Sequence, residues 1–159
     1  MGRYPDVMIE LLGAHPNLIA TTVTWHMAEF DPAGDAARWT RARTEEARLA
    51  GIPCAWVAFA DEVAVGTVSL VEHNMDSRRD LAPWLAALFV LPAHRGRGIG
   101  TALVGRCEEE AWRLGVDRLY LYTAVAEAFY ERLGWATLGQ EEYEGSMETV
   151  MLRETPSSS

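Results

Sequence analysis

The chain has 159 residues, 49% of them hydrophobic and 23% charged, proportions that suit a single globular domain with a core of its own. Its 14 basic residues against 23 acidic ones leave a formal charge of -9, which works against a sequence-independent grip on nucleic acid or on an anionic membrane. Every basic residue is arginine, so a Walker lysine, a pyridoxal Schiff base and a lysine general base are all excluded. Cys54 and Cys107 lack CxxC spacing, and His15, His26, His73 and His94 lack any ligand spacing, so neither a disulfide framework nor a metal site is expected. The apolar stretches fall short of a membrane span, and Met1 to Asp6 is not followed by a signal-peptide core. A cytoplasmic location is the expectation.

Residues 7–12 form a short apolar run that fits a first strand. Pro16 opens a stretch that Asp31-Pro32 closes, and residues 16–30 read as a helix against the weak strand preference of Thr21-Thr22-Val23-Thr24. Residues 35–50, stopped by Gly51-Ile52-Pro53, read as a second helix with a solvated charged face. Residues 54–60 and 63–72 form a hairpin of two central antiparallel strands around Asp61-Glu62. Residues 84–91 are apolar on both sides and predict a strand buried on both faces, ended by Pro92. From Gly98 to Leu114 the residues Ile99, Leu103, Cys107, Ala111 and Leu114 share one helical face, and Gly115 stops the run. A strand over 119–123, a short helix over 125–133 and a last strand pair over 135–143 and 148–153 complete a mixed α/β order. Residues 1–154 are expected to form one domain and 155–159 a frayed tail.

The segment with the most chemical content is Pro92-Ala93-His94-Arg95-Gly96-Arg97-Gly98-Ile99-Gly100-Thr101. Three glycines free the backbone just where a helix begins, and free helix N-terminal amides flanked by Arg95 and Arg97 make an anion site. A diphosphate suits it better than one carboxylate, because several amides and two guanidinium groups can share its charge. The alternative is a glycine turn that only lets helix pack on strand. Two common phosphate loops do not fit: counted from Gly96, GxGxxG ends on Thr101, and the Walker pattern lacks its lysine.

Arg95-Gly96-Arg97-Gly98-Ile99-Gly100 instead resembles the R/Q-x-x-G-x-G/A signature of the GNAT superfamily, the acyl-CoA-dependent N-acetyltransferases. The likeness extends to Pro83 through Pro92, similar to the preceding strand of a bacterial subgroup, and to Leu119-Tyr120-Leu121-Tyr122-Thr123 with Phe129-Tyr130-Glu131-Arg132-Leu133-Gly134-Trp135. It covers about residues 53–153 and implies a mixed, mostly antiparallel central sheet with a splayed strand pair and helices on both faces. It also implies acetyl-CoA as cosubstrate, with the coenzyme diphosphate on Arg95, Gly96, Arg97, Gly98, Ile99, Gly100 and Thr101. Leu88, Phe89 and Val90 would run beside pantetheine, with ladder groups of the opening polarising the thioester carbonyl. Tyr130 matches the tyrosine that protonates the departing thiolate, a general-acid role. One departure is Ala124-Val125-Ala126, where many members carry an asparagine.

The resemblance implies transfer of an acetyl group to a primary amine of a small molecule or peptide, by direct attack in a ternary complex. An ammonium acceptor must first lose a proton, and Glu72 is the expected base, with His73, Asp76 and Asp80 as rivals. Cys54 and Cys107 are expected in the core. Glu141, Glu142 and Glu144 form a candidate acidic rim for a cationic amine, while Trp25, His26 and Glu29 are further substrate-side candidates. The negative charge leans towards a cationic acceptor, and a homodimer is an open possibility. The competing reading is a non-catalytic acyl-CoA-binding sensor or protein-interaction module, which would keep the loop without needing Tyr130.

Overall fold

The computed structural model describes residues 7–156. The expectations for Met1 to Asp6 and for Ser157 to Ser159 lie outside those residues. Seven strands form one sheet in the order β1-β2-β3-β4-β5-β7-β6, with β1 Val7–Leu11, β2 Cys54–Ala60, β3 Val63–Val71, β4 Trp84–Val90, β5 Arg118–Thr123, β6 Ala136–Tyr143 and β7 Ser146–Glu154. All neighbours are antiparallel except β4 and β5. The helices are α1 Ile19–Phe30, α2 Ala36–Glu46, α3 Ile99–Arg113 and α4 Glu127–Arg132. None of the helices among the described residues is long and apolar enough to cross a membrane.

The period-2 alternation of β2 sorts its side chains onto two faces. Cys54, Trp56 and Ala58 join Leu103, Val104, Cys107 and Ala111 of α3 in the main core, together with Tyr130 and Trp135. Ala55 and Val57 face the other way, against Leu12, Leu18, Ile19 and Ala47 on the side of α1 and α2. The expected two-faced sheet is therefore present. At Gly66 on β3 an added Cβ would come within 2.9 Å of the Phe89 carbonyl oxygen and 3.1 Å of Leu103 Cδ1, so glycine lets β4 and α3 close in there.

Helix α1 forms despite its β-branched cluster. Thr22 Oγ1 donates to the Ile19 carbonyl at 2.8 Å and Thr24 Oγ1 to the Ala20 carbonyl at 3.1 Å, so both hydroxyls are satisfied within the helix. Asp35 caps α2 by accepting from the Ala37 amide at 3.0 Å. A buried cluster seals α2 to α1 and the sheet: Arg43 donates to Thr22 Oγ1, Ser69 Oγ, Thr67 Oγ1 and Glu46 Oε1. Helix α2 stops at Glu46, four residues short of expectation, and α4 begins at Glu127 rather than 125. Thr155 is tied down, not frayed, its amide donating to the Asp117 carbonyl at 2.9 Å.

Candidate active site

Trp84 pairs with Tyr120 in parallel register, and the Tyr120 amide donates to the Pro83 carbonyl at 3.1 Å. No later pair joins β4 to β5 among the described residues, so the two strands part beyond Trp84 and Tyr120. The backbone edge of β4 borders this opening without a ladder partner on that side. Its other edge stays on β3 with one irregularity: Thr67 pairs with Phe89 and Ser69 with Ala86, leaving Ala87 and Leu88 together opposite Val68. This is a bulge, and Ala87 takes a φ of 57° within it. Consequently Ala86 and Ala87 both pack on the α1–α2 side, whereas Leu88 and Val90 pack towards α3.

The wide end of the opening meets the glycine loop. Gly96 and Gly98 have φ of 78° and 82°, a region that favours glycine. Gly98 is the N-cap of α3, no side chain caps the helix, and its first turn carries no acidic residue. The first internal hydrogen bond runs from the Ala102 amide to the Gly98 carbonyl, so the amides of Ile99, Gly100 and Thr101 precede any intrahelical partner. A Cβ at Gly100 would lie 3.5 Å from Phe129 Cζ and 3.9 Å from Val90 Cγ2, which places the helix start against the end of β4 and against α4. This bare, positively polarised terminus fits an anionic diphosphate. Arg97 is exposed and has no ion pair among the described residues. Arg95 is engaged within the protein: its Nε donates to the Val90 carbonyl at 2.8 Å, its guanidinium lies over the Phe89 ring, and Nη2 stands 3.7 Å from Glu29 Oε1.

Tyr130 on α4 is buried, with its ring 5.0 Å from that of Phe129 and 6.0 Å from that of Trp135. Burial pushes its phenol well above the ordinary tyrosine value, with a smaller contribution from Cys107, so it keeps its proton at neutral pH. Its hydroxyl has no hydrogen-bond partner among the described residues. The indole of Trp135 donates to Glu108 at 2.9 Å, and Arg153 binds both Glu108 and the Leu133 carbonyl, which fixes the segment after α4.

At the closed end, Glu72 is exposed and follows Val71, whose partner is Trp84. It therefore sits beside the apex of the opening, at the end opposite the glycine loop. A row of rings borders the apex on the α1–α2 side, with Trp84 5.8 Å from Tyr120 and 6.1 Å from Tyr122, and Tyr122 5.5 Å from Tyr143. Burial raises the Tyr122 phenol, with further contributions from Tyr143, Glu144, Glu148 and Asp76. Sequence reasoning missed this aromatic row, although Tyr120 and Tyr122 two apart on one strand face were a usable signal. The Asp76 amide donates to the Tyr143 hydroxyl at 3.1 Å, Asp80 is held by Arg78, and Glu141 binds Ser77 and Arg78. Glu142 and Glu144 remain exposed. Cys54 and Cys107 lie in the core, where burial lifts the Cys54 thiol to about 12 and holds that of Cys107 well above its ordinary value. Of the helix α1 candidates, Trp25 packs on Phe89, Glu29 meets Arg95, and His26 is fully buried.

Residues 19–135 match the Acetyltransferase (GNAT) family, and the chain belongs to that family. Over 161 aligned residues it is 28% identical to human N-acetyltransferase 8B, an alignment covering 87% of this chain and 71% of that protein. An aminoglycoside 6'-N-acetyltransferase solved with coenzyme A shares the fold at a TM-score of 0.73 and 17% identity, over 96% of this chain and 99% of that one. YncA from Salmonella typhimurium, solved with acetyl-CoA, does so at a TM-score of 0.68 and 19% identity, over 97% and 96%.

Proposed function

We propose that this GNAT acetyltransferase moves an acetyl group from acetyl-CoA to a primary amine of a small molecule or peptide, by direct attack in a ternary complex. The observation that carries the reading is the opening between β4 and β5, with the uncapped start of α3 at its wide end; Phe129, next to Tyr130 on α4, packs against that start at Gly100. Both structural neighbours named above were solved with a form of coenzyme A, which supports the cosubstrate. The coenzyme supplies an activated acetyl thioester. The amides of Gly96 to Thr101 and the Arg97 side chain hold its diphosphate, and the backbone of Leu88, Phe89 and Val90 receives its amide-bearing arm. Arg95 acts here by holding the loop to β4, as its bond to Val90 supports.

As the amine nitrogen bonds to the acetyl carbon, the carbon–sulfur bond breaks. Tyr130 gives its phenolic proton to the departing sulfur, and the proton lost by the amine passes to a base. We assign that base to Glu72, which the apex geometry supports through its place beside Trp84. The aromatic row with Asp76, Glu144 and Glu148 near Tyr122 favours a cationic acceptor. The Pro83 to Pro92 pattern supports placement in a bacterial subgroup, and the two free, buried cysteines support a reducing, cytoplasmic setting.

Calorimetric titration with acetyl-CoA tests the reading without knowledge of the acceptor. Micromolar binding, about -8 kcal/mol, is expected in the wild type and should be lost in Arg97→Glu. Absence of binding by the wild type would refute the coenzyme site.

A further inference from the structure

We infer that His26 is a positioning residue, a neutral imidazole clamp on helix α1 that sets the bulge of β4 by donating a hydrogen bond to the Ala87 carbonyl. Its Nε2 lies 3.1 Å from that oxygen across 61 positions of sequence. A carbonyl only accepts, so Nε2 carries the proton. The other ring nitrogen, Nδ1, is buried and has no partner. A protonated ring would leave that second N–H without an acceptor, in a site that already faces the charge of Arg43 from α2. The ring is held from the sides by Phe30 and Trp39, at 5.8 and 5.5 Å between centroids. Burial, and then Arg43, lower its basicity from 6.5 to about 3, while the Ala87 bond works the other way.

The bulge needs such support. Ala87 carries a Cβ at a φ of 57°, a conformation that persists in a side-chain-bearing residue only where surrounding contacts determine it. Regular pairing to β3 on either side of Ala87 and Leu88 leaves the Ala87 carbonyl outside the ladder, and the buried His26 is its partner. The neighbouring residues of α1 act on the same strand exit: Trp25 packs 5.6 Å from Phe89, and Glu29 meets the Arg95 that holds the Val90 carbonyl. Helix α1 thus fixes how the backbone of residues 87–90 is turned towards the opening. The consequence for coenzyme binding rests on the reading of β4 as the coenzyme strand, whereas the clamp itself does not.

The test compares His26→Leu, which fills the space without a donor, with His26→Gln, whose amide can still donate, and with His26→Leu combined with Ala87→Gly, which removes the Cβ from the strained position. Amide hydrogen exchange at residues 87–89 is read beside acetyl-CoA affinity and melting temperature. In His26→Leu, exchange at those amides should quicken and affinity fall by about tenfold, the worth of one ordinary buried hydrogen bond. His26→Gln and the double variant should recover both. Unchanged exchange in His26→Leu, or a His26→Gln variant no better than His26→Leu at equal melting temperature, would overturn the clamp. Should His26→Leu not fold, His26→Gln decides alone: wild-type exchange at residues 87–89 supports the clamp and fast exchange refutes it. A wild type that binds no acetyl-CoA would bring down the coenzyme reading and leave the exchange comparison to judge the clamp.

Discussion

Trp84 and Tyr120 form the pair at which β4 and β5 meet before they part, and their rings lie 5.8 Å apart on the α1–α2 side of the sheet. Trp84 is fully buried, and its indole N–H donates to the Leu81 carbonyl at 2.8 Å. Trp84→Ala is expected to cost about 3–5 kcal/mol in urea unfolding, whereas Trp84→Phe, which keeps a ring at the junction, should cost less. Equal losses in the two variants would show that the ring contacts do not hold the junction.

Tyr130→Phe removes one hydroxyl from a buried ring that packs on Phe129 and Trp135. Turnover at saturating substrates should fall by about a hundredfold or more, with acetyl-CoA affinity nearly intact. Because burial holds the phenol proton on well above the ordinary range, wild-type Tyr130 should impose no alkaline loss of rate near pH 8. Unchanged turnover in Tyr130→Phe would remove it from the acid role.

Glu72→Gln should lower kcat/KM and displace the limb of the pH profile in which the rate rises as the base loses its proton. Melting temperature should barely change, since Glu72 is exposed. An unmoved profile would send the search for the base to the carboxylates around Tyr122.

Arg43 is buried with four polar partners, and Glu46, itself largely covered, is its counter-ion at 2.6 Å. Arg43→Leu should destabilise the chain by about 3–5 kcal/mol, because it leaves the largely covered Glu46 carboxylate without its counter-ion and removes the donors that Thr22, Thr67 and Ser69 accept from. Arg43→Leu with Glu46→Leu should recover part of that loss in the same unfolding assay. A double variant no more stable than the single one would contradict this account.

His26 makes stability depend on pH in a definite direction. Its pKa falls from 6.5 to about 3 on folding, so the folded state binds fewer protons between those values. The stability from keeping the ring neutral is complete above about pH 6.5 and is lost as pH falls towards 3, at up to about 1.4 kcal/mol per unit. Urea unfolding of wild type and His26→Gln should therefore give similar stabilities near neutral pH, with the wild type falling progressively below the variant as pH is lowered from 6.5 towards 3. Parallel pH dependences would show that His26 does not titrate on unfolding.

Much of this architecture can be read from local pattern. The Ile99 to Leu114 face, the Asp61-Glu62 turn and the two-sided apolar run from Trp84 each reflect neighbours in sequence, and the structure follows them closely. The glycine loop was legible for the same reason, since a helix start needs only adjacent residues. What stayed hidden depends on distant partners. Nothing in Leu85-Ala86-Ala87-Leu88 signals a bulge, because it is settled by pairing with Ser69 and Thr67 and by a histidine 61 positions earlier. The insertion of β7 between β5 and β6 was likewise invisible, since it follows from the register of Tyr122 with Val150 rather than from any turn residue.

The lone β4–β5 pair also makes the sheet two leaves joined at a spine, β1 to β4 on one side and β5, β7 and β6 on the other. A guest whose amides bridge the gap supplies the missing rungs, so the leaves would unfold as one unit when it is bound and more independently when it is absent. Occupancy then becomes readable from thermal stability by mass action. A rising melting temperature along a coenzyme series would rank acyl chains before any acceptor has been found.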